Sequence, residues 1–131
     1  ATTLLIGDVS FLHDIHGIQL ASEVLGPLVI VVVNNGRGRI FEQLPIAKDG
    51  DEHLLSYFTT PHDADLAGAA SIHGCQFRSA STVTGLQESL ELAYAGEGCF
   101  VIEAVVPPQS ALTQGRDLLA RVERALRHEG A

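Results

Sequence analysis

The sequence predicts an α/β domain with a parallel sheet of about four strands flanked by helices. Short apolar runs alternate with amphipathic helical patterns four times along the chain, and this rhythm is typical of parallel strands joined by helical crossovers. Hydrophobic residues make up 46% of the 131 residues and charged residues 18%. A single domain of ordinary size can therefore bury a substantial core.

The strands are predicted near residues 3–7, 28–33, 75–79 and 99–106. The second, LVIVVV, is wholly apolar and β-branched, which favours a parallel strand covered on both faces. The first helical pattern, SFLHDIHGIQLASEVLG, is expected to form one helix that ends before Gly26-Pro27. Its predicted buried face is made of four residues: Leu12, Ile15, Leu20 and Val24.

Residues 36–62 form a polar stretch that is predicted to be irregular. Three helices are predicted after it, from ADLAGAASIHG, TVTGLQESLELAYAG and GRDLLARVERALRHEG. The second of these is expected to begin with a capping box of Thr84 and Gln87 and to bury Leu86, Leu90 and Tyr94. The last is amphipathic, with an apolar side made of Leu118, Val122 and Leu126.

Charge and composition exclude several classes of function. The formal net charge of −8 argues against a nucleic-acid partner. The longest apolar run, Pro27 to Val33, is too short to span a bilayer, and the start ATTLLIGD lacks the basic region of a signal peptide. Cys75 and Cys99 are predicted to be buried, reduced thiols of a cytoplasmic protein, with a disulfide or a reactive thiol as the alternative.

Polar residues follow the first two strands at the point where each apolar run ends, as Gly7-Asp8 and Asn34-Asn35. Ligands of open α/β sheets bind beyond the carboxyl ends of the strands, so Asp8 and Asn35 are expected to converge if the strands are neighbours. Their carboxylate and amide oxygens suit Mg²⁺, which shares its shell with phosphate oxygens. The residues predict a Mg²⁺–diphosphate site, with simple turn formation as the alternative.

Two neighbours complete this predicted site. Gly7 permits a tight strand-to-helix turn and a close backbone approach. Ser10 is expected to cap the following helix, whose first N–H groups can hold an anion.

The combination GDVS…VVVNN resembles the bipartite cofactor motif of thiamine-diphosphate-dependent enzymes. GDVSFLHDIHGI, NNGRGRIFEQLP and YFTTPHDADLAGAA, in that order, are similar to the 2-succinyl-5-enolpyruvyl-6-hydroxy-3-cyclohexene-1-carboxylate synthases of menaquinone biosynthesis. The resemblance covers residues 5–106. It implies the Rossmann-like thiamine diphosphate-binding fold, with residues 1–131 as a partial C-terminal domain that binds the cofactor and Mg²⁺, or Mn²⁺ in its place.

The resemblance also implies cofactor-binding roles. Asp8 and Asn35 match the side-chain ligands of the metal, and Arg37 matches the position that adds a backbone carbonyl. Val9 and Ser10 match residues that contact the diphosphate, beside Gly7 of the same motif. The family commonly has Gly-Gly where this chain has Arg37-Gly38, so the turn must allow a side chain there.

On the substrate side, Ile40, Phe41 and Leu44 match apolar residues beside the isochorismate-derived ring. The reaction implied is decarboxylation of 2-oxoglutarate and addition of the succinyl carbanion to isochorismate. Family members activate the cofactor with a glutamate from an N-terminal domain of a partner subunit in a homo-oligomer. No residue here matches it, so no catalytic residue is assigned, and the chain alone is expected to be inactive. The alternatives are another carboligase, such as an acetohydroxyacid synthase, and a non-catalytic α/β binding module.

Other polar residues are interpreted as structural. His13, Asp14 and His16 are predicted to be surface or packing residues, with zinc binding as the alternative. Thr60-Pro61-His62 is predicted to be a structural loop, with substrate binding or gating as the alternative. Glu103 interrupts an apolar strand, so it is expected near the strand end or hydrogen-bonded.

Overall fold

A computed structural model describes residues 1–21, 23–48, 52–108 and 110–128. Four strands run through it: β1 Thr2–Gly7, β2 Leu28–Asn34, β3 Gln76–Ala80 and β4 Cys99–Val105. The α-helices are α1 Asp8–His13, α2 Ile18–Ala21, α3 Glu52–Thr59, α4 Leu66–Ile72, α5 Val83–Ala95 and α6 Ser110–His128. Short 3₁₀ turns cover Ile15–Gly17, Arg39–Gln43 and Pro45–Lys48.

The strands form one parallel sheet in the order β1-β2-β4-β3. This confirms the predicted fold class, and each predicted strand is present within one residue of its expected bounds. In the register of the sheet, Gly7 pairs with Val33 and Asn34 pairs with Val105. The carboxyl ends of β1, β2 and β4 therefore lie side by side at one edge.

Helices cover both faces of the sheet, as an apolar central strand requires. On one face, Ile30, Val32 and Val101 pack with residues of α1, α2 and α4. On the other, Val29, Val31, Phe100, Ile102 and Ala104 pack with Ala93, Leu86 and Leu90 of α5. The strand β1 lies at the edge of the sheet, and Leu4 and Leu5 on it are exposed.

The prediction of a single long helix after β1 is wrong, because the segment forms α1, a 3₁₀ turn and α2. Asp14 leaves the helical region at φ −109° and ψ 29°, and its carbonyl accepts from Gly17 N to form a 3₁₀ turn. Asp and Gly are both weak helix formers, which favours a break at these positions. As a result Leu20 and Val24 are exposed, while Leu12 and Ile15 do pack against the core.

Two predicted helix caps are also wrong. Helix α1 begins directly at Asp8 with Gly7 as its N-cap, so Ser10 lies inside the first turn and cannot act as the cap. Helix α5 begins two residues before the predicted box would place it, with Thr82 as the N-cap accepting from Gly85 N. Within α5, Leu86 and Leu90 pack as expected, but Tyr94 is exposed and bonds through its hydroxyl to Thr3 Oγ1.

The stretch 36–62, predicted to be irregular, holds two 3₁₀ turns and α3 in its described part. Phe41 and Phe58 pack with ring centroids 6.3 Å apart, so an aromatic contact joins the first turn to α3.

In α6, the predicted apolar side made of Leu118, Val122 and Leu126 is exposed. In the described ranges, no helix combines the length and apolar character that crossing a membrane needs.

Cys75 and Cys99 are free and buried, as predicted. Burial, and to a smaller extent the neighbouring Cys75 thiol, raises the pKa of Cys99 to about 12. The Cys99 thiol is therefore protonated at neutral pH, which disfavours a nucleophilic role.

Candidate functional site

Asp8 and Asn35, which are 27 positions apart, meet at the carboxyl edge of the sheet. The strands β1 and β2 are neighbours in register, so the residues that follow them emerge together. Oδ2 of Asp8 accepts from the backbone N–H of Asn35 at 3.2 Å. The expected convergence of these two positions is thus present in the fold.

The Asp8 carboxylate is buried, with the residue 3% exposed. Its Oδ1 accepts from Val9 N at 2.8 Å, and its Oδ2 lies 3.3 Å from Nε2 of His62. The nearby guanidinium groups face Glu42 and not Asp8. Arg39 pairs with the Glu42 carboxylate at 2.8 Å, and Arg37 lies 3.9 Å from it. Both carboxylate oxygens of Asp8 accept backbone hydrogen bonds, but neither guanidinium pairs with them, so a bound cation could supply the compensating charge.

The turn after β2 is ordered by its own side chains. Oδ1 of Asn34 accepts from Gly36 N at 2.9 Å, and Oδ1 of Asn35 accepts from Arg37 N at 3.4 Å. Gly36 takes the positive φ of 78° that the turn needs. Among the described residues, Thr60 is the one non-glycine residue with a positive φ, so Arg37 occupies a conformation that is ordinary for an L-residue.

A polar network of Glu103, Asn34 and Ser79 lies behind this turn, and the sequence did not predict which residues it connects. Glu103 on β4 accepts from Asn34 Nδ2 at 2.6 Å and from Ser79 Oγ at 2.7 Å. It thereby links three neighbouring strands and holds the residue that begins the turn. The expectation that Glu103 is hydrogen-bonded is confirmed, whereas its partners depend on the strand order.

The segment from 36 to 62 closes back on the same edge. Gly38 N donates to Thr59 O at 2.6 Å, and His62 N donates to Gly36 O at 3.1 Å. Arg39 Nε donates to Asn35 O at 3.2 Å. These contacts bring His62 and Arg39 to the site, and neither was singled out as a site residue from the sequence. The TTPH stretch was the available signal for His62.

A cavity of about 210 Å³ opens at this edge. Seven of the residues that line it were singled out from the sequence: Gly7, Asp8, Val9, Ser10, Asn35, Arg37 and Ile40. Phe41 instead packs against Phe58, and Leu44 ends the same 3₁₀ turn with 42% of its surface exposed. The structure thus gathers the predicted cofactor residues and one of the three predicted substrate residues around one cavity.

A larger cavity of about 310 Å³ lies between β1 and the broken helix. Its lining is apolar apart from Asp14 and the backbone at Gly17, so it offers few groups that could orient a charged ligand. In the described ranges, no group of three His, Cys, Asp or Glu residues could hold a metal ion. This counts against zinc at His13, Asp14 and His16.

Comparison with known proteins agrees with the motif. The profile described as "Thiamine pyrophosphate enzyme, C-terminal TPP binding domain" matches residues 2–104. The chain belongs to this family. The domain binds thiamine diphosphate, and the resemblance found in the sequence is confirmed.

Curated relatives carry the name 2-succinyl-5-enolpyruvyl-6-hydroxy-3-cyclohexene-1-carboxylate synthase. One from Sorangium cellulosum is 44% identical over 126 residues, which cover 93% of this chain and 20% of that protein. One from Shewanella loihica is 35% identical, covering 95% of this chain and 22% of that protein. This member of the thiamine pyrophosphate family therefore spans about a fifth of the length of these relatives.

Among solved structures, benzoylformate decarboxylase from Polynucleobacter necessarius has a TM-score of 0.71 at 19% identity, covering 82% of this chain and 20% of that chain. A likeness at this identity supports the fold alone. It agrees with the four-stranded parallel sheet described above.

Proposed function

We propose that this domain is the diphosphate- and Mg²⁺-binding part of a synthase that joins the succinyl carbanion from 2-oxoglutarate to isochorismate. The single observation that carries the metal site is the meeting of Asp8 with the Asn35 turn at the carboxyl edge of the sheet. The reaction rests on the name that the curated relatives share and on the identity of 44% to one of them.

The residues at the site fit a hard cation. Asp8 offers a carboxylate oxygen, Asn35 an amide oxygen and Arg37 a backbone carbonyl, and Mg²⁺ favours such oxygen ligands. The described part of the chain also holds two buried polar atoms without a hydrogen-bond partner, Thr59 Oγ1 and His62 Nε2. The second of them faces Asp8, as expected of a site whose hydrogen bonding is completed on binding.

Thiamine diphosphate, when bound, supplies the electron sink for the decarboxylation, whereas the protein supplies binding, orientation and electrostatics. Here Gly7 would allow the backbone to approach the diphosphate, and Val9 and Ser10 would contact it from the first turn of α1. Asp8, Asn35 and the backbone carbonyl of Arg37 would hold the metal ion. The metal ion would neutralise the anionic end of the cofactor, and these three groups would fix its position.

The substrate side is assigned to the turn Arg39–Gln43 and the residue after it. Ile40 lines the cavity with 70% of its surface exposed, so it is available to an apolar ring. Phe41 and Leu44 lie on the same segment and are partly exposed. We assign the three residues to the isochorismate side of the site, where they exclude water from the reacting carbons.

The activating glutamate is assigned to an N-terminal domain of a partner subunit in the complete enzyme. We place this enzyme in the cytoplasm.

The test is to incubate the full-length protein that carries this segment with thiamine diphosphate, Mg²⁺, 2-oxoglutarate and isochorismate. We expect carbon dioxide and the coupled product. A protein that leaves isochorismate unused but couples pyruvate in a parallel reaction with pyruvate in place of 2-oxoglutarate would be a carboligase of another kind. Absence of any turnover in both reactions would favour a binding module.

A further inference from the structure

His62 lies between α3 and α4 and is held in place by two hydrogen bonds. Its backbone N–H donates to Gly36 O at 3.1 Å, and its Nδ1 accepts from Ala64 N at 3.3 Å. A neutral imidazole has one donor and one acceptor nitrogen. Because Nδ1 accepts, the network assigns the ring hydrogen to Nε2.

This Nε2 faces the proposed metal ligand. It lies 3.3 Å from Oδ2 of Asp8, yet it is buried without an aligned hydrogen bond. The side chain of His62 is 14% exposed and that of Asp8 is 5% exposed. A small shift of either group would complete the bond, and little water competes for it.

The two oxygens of Asp8 are not equivalent. Oδ1 accepts one hydrogen bond, from Val9 N at 2.8 Å. Oδ2 accepts from Asn35 N at 3.2 Å and also faces the imidazole of His62. An ionised carboxylate oxygen can accept about two bonds, so Oδ2 is fully used once His62 donates, while Oδ1 keeps a free position.

We propose that His62 is a positioning residue for Asp8. Its Nε2–H donates to Oδ2, and this leaves Oδ1 as the single oxygen that binds Mg²⁺. The ion demands near-octahedral geometry, and a carboxylate held through one oxygen can meet it without distortion. The inference rests on the proposed metal site and adds a residue that the family motif does not include. It also gives the TTPH loop a role in holding the site.

An imidazole that occupies the metal position, instead of orienting Asp8, would change metal affinity in the opposite direction. If the imidazole occupies the position of the ion, removal of His62 would strengthen metal binding. If His62 orients Asp8, its removal weakens metal binding, because partners of ligating groups typically contribute about 10–100-fold in metal affinity. The sign of the change therefore distinguishes the two.

The experiment is a calorimetric titration of the full-length protein with Mg²⁺ at saturating thiamine diphosphate. We expect His62→Ala to raise the Kd for Mg²⁺ by about 10–100-fold. His62→Gln should recover part of the affinity, since its amide N–H can reach towards Oδ2. The matched control is His53→Ala, because His53 is an exposed histidine of α3, and its Kd should equal that of the wild type.

A double-mutant cycle separates positioning from general damage to the loop. In an Asp8→Asn background, His62→Ala should cause no further loss of Mg²⁺ affinity. An equal loss in both backgrounds, an unchanged Kd in His62→Ala, or tighter binding would each overturn the proposal. Wild-type protein that binds thiamine diphosphate without any dependence on Mg²⁺ would instead overturn the proposed metal site itself.

Discussion

Arg37 and Arg39 are two residues apart but contact the site in different ways. Arg37 is assigned a role through its backbone carbonyl, and its guanidinium is 3.9 Å from Glu42 and 38% exposed. Arg39 is 13% exposed, bonds Asn35 O through Nε, and pairs with Glu42 at 2.8 Å. The proposed site thus depends on the side chain of Arg39 but only on the backbone of Arg37.

We therefore expect Arg37→Ala to keep the Mg²⁺ affinity of the full-length protein within about 3-fold, as for an exposed ion pair. Arg39→Ala should weaken it about 10-fold, the equivalent of one lost hydrogen bond of about 1.4 kcal/mol. Titration of both variants with Mg²⁺ at saturating thiamine diphosphate measures the difference. A larger effect from Arg37 than from Arg39 would contradict the backbone assignment.

At the scale of elements, the site depends on how β2, β4 and β3 are joined. Glu103 accepts hydrogen bonds from Asn34 and Ser79 on the two neighbouring strands. Asn34 in turn holds the Gly36 N–H of the turn that presents Asn35. One partly buried carboxylate thus connects sheet pairing to the shape of the site.

Glu103→Ala should lower the free energy of unfolding by about 1–3 kcal/mol, because it leaves Asn34 and Ser79 without their acceptor. The matched control is Glu88→Ala on the exposed side of α5, where we expect a change within about 0.5 kcal/mol. Urea denaturation of the 131-residue chain measures both. Equal stability of the two variants would show that the network is not structural.

We assign the turn Arg39–Gln43 and the residue after it to the substrate side of the same edge. Ile40→Ala should lower kcat/KM for isochorismate by about 5–30-fold, corresponding to 1–2 kcal/mol of apolar contact, and leave cofactor binding unchanged. Ile72→Ala, at an exposed position of α4, is the control and should change neither quantity. Steady-state kinetics beside a cofactor titration measures both effects. A weakened cofactor Kd in Ile40→Ala would refute this division of roles.

The sequence predicts some of these features better than others, for physical reasons. The β-branched run at β2 and the polar residues after β1 and β2 are local signals, and adjacent parallel strands bring Asp8 and Asn35 together. The partners of Glu103 depend on the order β1-β2-β4-β3, which no local pattern contains. The helix break at Asp14 and the cap at Thr82 depend on small local preferences that the apolar periodicity concealed.

For the whole molecule, we assign the diphosphate end of a site to this chain and assign none of its residues to the pyrimidine end. It spans 20% of the Sorangium relative, and the activating glutamate is assigned to another domain. Reaction requires both ends of the cofactor to be fixed in a productive geometry. Binding to this part alone should therefore not lead to turnover.

We expect the purified 131-residue chain, with thiamine diphosphate, Mg²⁺, 2-oxoglutarate and isochorismate, to release carbon dioxide no faster than the same mixture without protein. The full-length protein is the positive control. Release above the background from the short chain would mean that it contains an activating group of its own.

We propose that Asp8 and Asn35 hold the metal that binds the diphosphate. The most direct measurement is calorimetric titration of the full-length protein with thiamine diphosphate, with and without Mg²⁺, for the wild type, Asp8→Ala and Asn35→Ala. We predict Mg²⁺-dependent binding that each substitution weakens by at least about 10–100-fold, the usual cost of losing even an outer partner of a metal ligand. Wild-type affinity in both variants, with the same dependence on Mg²⁺, would contradict the account.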